Sequence, residues 1–138
     1  MESFSIHECI GGTVVDAELP KGLSLIFQDS GTGKSYMFQL LKSYFVGNGV
    51  PCALIDYHIL QSLSDNDAII LAMCKGQRIV FLDNADLYIT DDLIQQICSE
   101  VPYVMMSKKD CGLSYGDLEC YRRRVVYEGD HLELRDVR

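Results

Sequence analysis

The chain has 138 residues, 48% of them hydrophobic and 23% charged, a globular composition that excludes a disordered tail or a collagen-like repeat. That length fits one domain able to bury a core without disulfide or metal staples. The formal charge of −8 argues against non-specific binding to a phosphate backbone as the main role.

The charge is unevenly spread. Residues 1–102 hold 5 basic and 13 acidic side chains, while residues 103–138 hold 7 of each, so most of the positive charge sits in the last quarter. Met1 to Ile10 carries Glu2 and Glu8 but no Lys or Arg, unlike the start of a signal peptide. No run approaches the roughly 20 apolar residues that cross a bilayer. The expectation is a cytoplasmic protein with no membrane segment. Cys9, Cys52, Cys74, Cys98, Cys111 and Cys120 are widely spaced with no C-x-x-C pair. In a reducing compartment they read as small buried hydrophobes, not as metal ligands.

Phe4 to Ile6 and Thr13-Val14-Val15 are short strand candidates that could pair. Leu23 to Phe27 is an apolar run ending at a Gly-rich loop, hence a buried strand. Lys34 to Val46 spaces Met37, Leu40, Leu41, Tyr44 and Phe45 along one helical face, and Gly47-Asn48-Gly49 stops it. Pro51 to Ile55 is a second strand. Ser64-x-x-Asp67 resembles a capping box for a helix reaching about Lys75, with Gly76 behind it. Ile79 to Leu82 is a third strand, Thr90 caps a helix through about Ser99, and Val101 to Met106 is a fourth strand. Val125-Val126-Tyr127 and His131 to Leu134 flank Glu128-Gly129-Asp130 as a last strand or hairpin. Strands separated by helices predict a three-layer α/β/α sandwich around a mostly parallel five-stranded sheet in a single domain over residues 1–138.

Between the Leu23–Phe27 strand and the first helix lies Gln28-Asp29-Ser30-Gly31-Thr32-Gly33-Lys34-Ser35. Glycines there let backbone amides turn inward around a phosphate. The helix start adds unpaired N–H groups and a positive dipole end. In such a loop Lys34 bridges the β- and γ-phosphates and Ser35 offers a hydroxyl to Mg²⁺. Gln28 departs from the G-x-x-x-x-G-K-[ST] pattern, standing where the first Gly belongs. In Arg78-Ile79-Val80-Phe81-Leu82-Asp83-Asn84-Ala85-Asp86-Leu87, four apolar residues deliver Asp83 to a strand's carboxyl end. Ligands gather at that end of an open α/β sheet, so Asp83 can reach the same Mg²⁺.

The two segments resemble Walker A and Walker B of a P-loop NTPase. Phe81-Leu82-Asp83-Asn84-Ala85-Asp86 is similar to the Walker B stretch of the AAA+ group, which includes replication initiators and helicase loaders. The resemblance covers about residues 20–107. It implies ATP binding by Asp29, Ser30, Gly31, Thr32, Gly33, Lys34, Ser35 and Tyr36, and Mg²⁺ held by Ser35 and Asp83. It also implies a polar sensor at the end of the Val104-Met105-Met106-Ser107 strand, which is Ser107.

The chain departs from a working ATPase of that group in two ways. Asn84 stands where the family has a Glu that polarises the attacking water; an amide can hold water but cannot take its proton. Within these 138 residues the expected fifth strand leaves no stretch for the usual helical lid. Asp86 is the substitute base to consider, and Arg122-Arg123-Arg124 could offer a cation to a neighbour's phosphate, although consecutive strand residues cannot all face one way.

Three functions stay open, beside a degenerate core whose loop no longer binds nucleotide, for which Gln28 is the argument. One is an ATP- and Mg²⁺-dependent switch or assembly module that acts through a protein partner. Another is a slow ATPase using Asp86 or a partner's residue. The third is a small-molecule kinase with Asp56, near His58, as base. The sequence leaves homo-oligomerisation and nucleic acid open, and lacks the N-K-x-D element that reads guanine.

Overall fold

The computed structural model describes residues 3–28, 33–56, 66–97, 101–108, 110–116 and 118–137. The chain opens with a hairpin of β1 (Phe4–Ile10) and β2 (Thr13–Leu19), which pair antiparallel from Phe4↔Leu19 to Ile10↔Thr13. Gly11 and Gly12 make the turn with φ of 56° and 85°. A two-residue turn with both φ positive suits strand twist, and glycine adopts it without a Cβ clash. Strands and helices then follow as β3 (Gly22–Phe27), α1 (Lys34–Gly47), β4 (Cys52–Ile55), α2 (Asn66–Cys74) and β5 (Ile79–Leu82). A 3-10 turn (Ala85–Leu87), α3 (Asp91–Gln96), β6 (Pro102–Ser107), β7 (Cys120–Glu128) and β8 (His131–Asp136) complete the order.

The expected five-stranded, mostly parallel α/β/α sandwich is not what forms. All eight strands join one mixed sheet in the order β1-β2-β8-β7-β3-β6-β5-β4, and that sheet curls into a half-barrel. Pairing is parallel from β7 through β3, β6 and β5 to β4, but β1–β2 and β7–β8 are antiparallel. The join between the first hairpin and the rest is a short parallel ladder, Val14↔His131 to Asp16↔Glu133.

The physical reason lies in the inward side chains of the added strands. Ile6, Val15, Ala17, Leu19, Leu132 and Leu134 are buried in the same core as Met37, Phe38, Leu41 and Phe45 of α1. A flat sheet would leave those apolar faces in water; curling wraps them round one helix. Phe45 is fully buried and lies edge-on to Phe4, with ring centroids 4.9 Å apart. Arg78, just before β5, places its guanidinium 5.5 Å from the centre of the Phe4 ring. Five strands separate β1 from β5 in the sheet order, so this contact measures the curl.

The opposite face carries a second core, in which Leu23, Leu25, Val80, Leu82, Tyr103 and Met105 meet Ile70 of α2 and Leu93 and Ile94 of α3. Every residue of β5 and β6 is buried, as strands covered on both faces must be. Thr90 caps α3 as expected, its hydroxyl accepting from Leu93 N–H at 3.1 Å. The Ser64 cap and the end of the third helix at Ser99 lie outside the described residues.

Arg123 is buried on β7. Its guanidinium donates to Glu18 O at 2.7 Å and Leu134 O at 3.3 Å and meets Asp136 at 2.7 Å, tying β2 to β8 beyond their short ladder. On the outer surface His7 lies between Asp16 and Glu18, and His131 contacts the other oxygen of Asp16. Hydrogen bonds to Asp16 and then Glu18 hold the His7 pKa above its ordinary value. Among the described cysteines Cys9 and Cys120 are exposed and Cys52, Cys74 and Cys111 half-buried, so the expectation of mostly buried thiols does not hold for these five. Among the described residues no helix is long and apolar enough to cross a membrane.

The curl is testable. A double-mutant cycle on Phe4→Ala and Arg78→Ala, read by urea denaturation, should give a coupling of about 0.5–1 kcal/mol, the size of an exposed cation–π pair. Additive effects would mean that the two sheet regions do not meet.

Candidate functional site: a cavity at the carboxyl ends of β3, β5 and β6

Parallel pairing brings the carboxyl ends of β3, β5 and β6 to one edge of the sheet, with Phe27 opposite Ser107 and Leu82 opposite Met105. Helix α1 begins at that edge. The β3–β7 ladder stops at Ile26↔Arg123, and Gln28 then continues it with its side chain. The Gln28 amide donates to Val125 O at 3.1 Å and accepts from Val125 N–H at 2.6 Å, while Gln28 N–H donates to Ser107 O at 3.0 Å. The residue at the first-Gly position thus fastens the strand end to both neighbours.

Asp29, Ser30, Gly31 and Thr32 lie outside the described residues. Gly33 follows with φ of 97°. A Cβ there would sit 3.2 Å from Tyr127 Cβ and 3.6 Å from Val125 Cγ1, so both the backbone angle and the close approach demand glycine. Its carbonyl accepts from Met37 N–H at 2.9 Å. The Lys34 ammonium donates to Gln28 O and, at 3.3 Å, to Ser107 O, which holds it between the ends of β3 and β6. Ser35 is exposed and Tyr36 half-buried in the same first turn.

Asp83 is half-buried after β5. Its N–H donates to Ile55 O at 2.8 Å, and the Tyr88 hydroxyl donates to Asp83 O at 2.8 Å and Ile55 O at 3.2 Å. Burial pushes the Tyr88 phenol far up, so it remains a donor. Burial also raises the Asp83 carboxyl, aided by the nearby charge of Asp56; the Asn84 N–H, 2.9 Å from Oδ1, and Lys34 pull it down. Asn84 has φ of 51° and ψ of 42°. It is the one non-glycine with positive φ among the described residues, a conformation Asn tolerates better than most.

Gly33, Lys34, Ser35, Tyr36, Asp83, Asn84 and Ser107 line one cavity of about 390 Å³, together with Met106, Lys108 and Tyr127. Sequence reasoning missed the last three. Lys108 directly follows Ser107, and the Tyr127 signal was an aromatic two residues beyond buried Val125 at a strand's end. Asp86 is not among the lining residues and is exposed on the 3-10 turn. Asp56 is half-buried just after β4, also outside the lining. His58 lies outside the described residues. Of the arginines, Arg122 pairs with Asp110 at 2.9 Å over the Phe27 ring, Arg123 is the buried tie described above, and Arg124 is exposed.

A larger depression, about 640 Å³, opens at the other end of the half-barrel near Phe4, Pro20 and Tyr121. Arg123 lines it as the tie between β2 and β8 described above; the smaller cavity gathers serine and tyrosine hydroxyls, the Asp83 carboxylate and the ammonium groups of Lys34 and Lys108. Among the described residues no group of three or more His, Cys, Asp or Glu side chains could hold a metal ion by itself. Ser35 and Asp83 are hard oxygen donors that suit Mg²⁺, which usually takes one or two protein ligands and fills its shell with water and phosphate. Comparison with protein-family models, curated proteins and solved structures finds no match for this chain.

The raised Asp83 pKa has a definite sign. The folded protein holds that proton more tightly than the unfolded chain, so the associated stability is present below the ordinary Asp value and is lost as pH rises through the raised one. Asp83→Asn mimics the protonated form and keeps an acceptor for Asn84 N–H. Thermal melts should show the variant more stable than wild type at neutral pH, with the advantage gone below about pH 4. Equal melting temperatures at neutral pH would contradict a burdened Asp83.

Proposed function

We propose that the protein binds a nucleoside triphosphate, ATP by default, together with Mg²⁺ at this cavity, and that it works as a nucleotide-dependent switch or assembly module acting on a protein partner. The observation that carries the reading is the convergence of Lys34, Ser35, Asp83, Asn84 and Ser107, from three separate chain segments, on one cavity. Lys34 places its positive charge against the β- and γ-phosphates. Ser35 and Asp83 hold Mg²⁺, directly or through water. The ion supplies charge neutralisation on the phosphate oxygens.

Hydrolysis on this reading is slow or absent. Asn84 faces the cavity where a general base is needed, and an amide orients water without accepting a proton. Asp86, exposed on its turn, does not make good the loss. The convergence gives no comparable support to the kinase reading, because Asp56 is outside the lining.

Calorimetric titration should show Mg²⁺-dependent ATP binding in the wild type that disappears in Lys34→Ala. Equal affinity in the two proteins would refute the reading. Asn84→Glu should raise turnover by about 10²–10⁴-fold, the usual contribution of a general base. It should also lower stability by about 1–2 kcal/mol, because Glu fits the left-handed conformation poorly.

A further inference from the structure

Tyr127 stands on the face of β7 that also carries Val125, and Val125 belongs to the core around α1. Two residues further along, the helix that covers this face has ended, because α1 starts at Lys34. Tyr127 therefore continues an apolar face past its cover and remains 43% exposed at the cavity wall. A single exposed aromatic needs no explanation. This one is fixed in place. Its ring lies 5.3 Å from that of Tyr36, tilted by 34°, and the Tyr36 hydroxyl is 2.6 Å from Thr13 Oγ1. Thr13 is buried at the start of β2, so the tyrosine pair is anchored at one end by the N-terminal hairpin and at the other by β7. The Tyr127 side chain also lies close against Gly33, the residue before Lys34.

The cavity thus has two chemically different parts. Lys34, Ser35, Asp83 and Lys108 make a charged part suited to phosphate and its cation. Tyr36 and Tyr127 make a flat aromatic part beside it. We infer that Tyr127 is the stacking platform for the nucleobase, so that the ligand is a nucleotide and not a bare polyphosphate. This rests on the nucleotide-binding reading above and adds the residue that holds the base. Stacking on an aromatic ring removes two flat faces from water and requires no particular hydrogen-bonding edge of the base.

The test separates base from phosphate. Calorimetry with Mg²⁺ compares ATP and inorganic tripolyphosphate on wild type, Tyr127→Ala and Tyr127→Phe. Stacking predicts that Tyr127→Ala weakens ATP by about 5- to 150-fold, the range of base–aromatic contacts, and leaves tripolyphosphate unchanged. Tyr127→Phe keeps the ring and should restore ATP affinity. An unchanged ATP affinity in Tyr127→Ala overturns the inference. So does an equal loss for both ligands, which would mean that the ring only supports the Gly33 backbone. Wild type that binds tripolyphosphate and not ATP overturns it too, while leaving the phosphate site standing. Wild type that binds neither refutes the phosphate-binding reading itself. Tyr127→Trp gives an independent readout, because the chain has no tryptophan. Its fluorescence should be quenched by ATP and not by tripolyphosphate, and quenching by both or by neither counts against stacking.

Discussion

Burying the apolar side of α1 is the constraint on which the rest of the structure depends. Met37, Leu41 and Phe45 are fully buried and Phe38 nearly so. Each such side chain gains about 1.5–3 kcal/mol by leaving water, provided something covers it. The parallel strands present Ile26, Val104, Met106, Ile79 and Phe81 to the helix, and the curled strands β1, β2, β7 and β8 bring the remaining apolar surface round it. The first hairpin is therefore part of the same core as the helix. Holding α1 in that trough sets where its first turn emerges, and Lys34 and Ser35 emerge at the carboxyl ends of β3 and β6.

Gln28 links that packing to the site. Its side chain supplies the ladder contact with β7 that its backbone does not make, while its carbonyl receives the Lys34 ammonium. Ser107 O accepts from Gln28 N–H and from Lys34 as well. The cation is thus positioned by two strand-end carbonyls that are themselves fixed by neighbouring strands. A glycine at position 28 could not make the Val125 contacts. Sheet geometry and placement of the charged group are one arrangement here, which explains why a departure from the usual loop pattern coexists with an ordered strand end.

Much of the middle of the fold was legible, and the reasons are physical. The runs Leu23–Phe27, Ile79–Leu82 and Val101–Met106 are buried on both faces except at half-buried Phe27 and Val101, and have no polar residue long enough to break the pattern. Thr90 and the α1 periodicity are local signals. The sheet's other side was harder to read. β1 and β2 are longer than expected because Ser5, His7, Asp16 and Glu18 stabilise one another on the outer face, and their polarity reads as loop. The first half of β7 is obscured by three arginines, one of which is buried through contacts with residues far away in sequence. The short β2–β8 ladder has no local signature at all, yet it turns a five-stranded expectation into an eight-stranded curl. In the site, Gly33, Lys34, Ser35, Tyr36, Asp83, Asn84 and Ser107 line one cavity while Asp56 and Asp86 do not, and Tyr127 was missed because its place at the cavity wall depends on where α1 ends.

Asn84 is best understood through charge and backbone together. The cavity wall already holds Asp83, whose carboxyl is raised by burial and by the proximity of Asp56. A second carboxylate beside it would add repulsion in a half-buried setting and would also repel an incoming triphosphate. Asn avoids both costs and adopts the left-handed turn that aims Asp83 Oδ1 at the following N–H. On the proposed reading, the residue that removes the general base is also the one that lets the turn form and keeps the wall receptive to phosphate. On that same reading, retaining a bound nucleotide rather than turning it over follows from how the chain leaves β5.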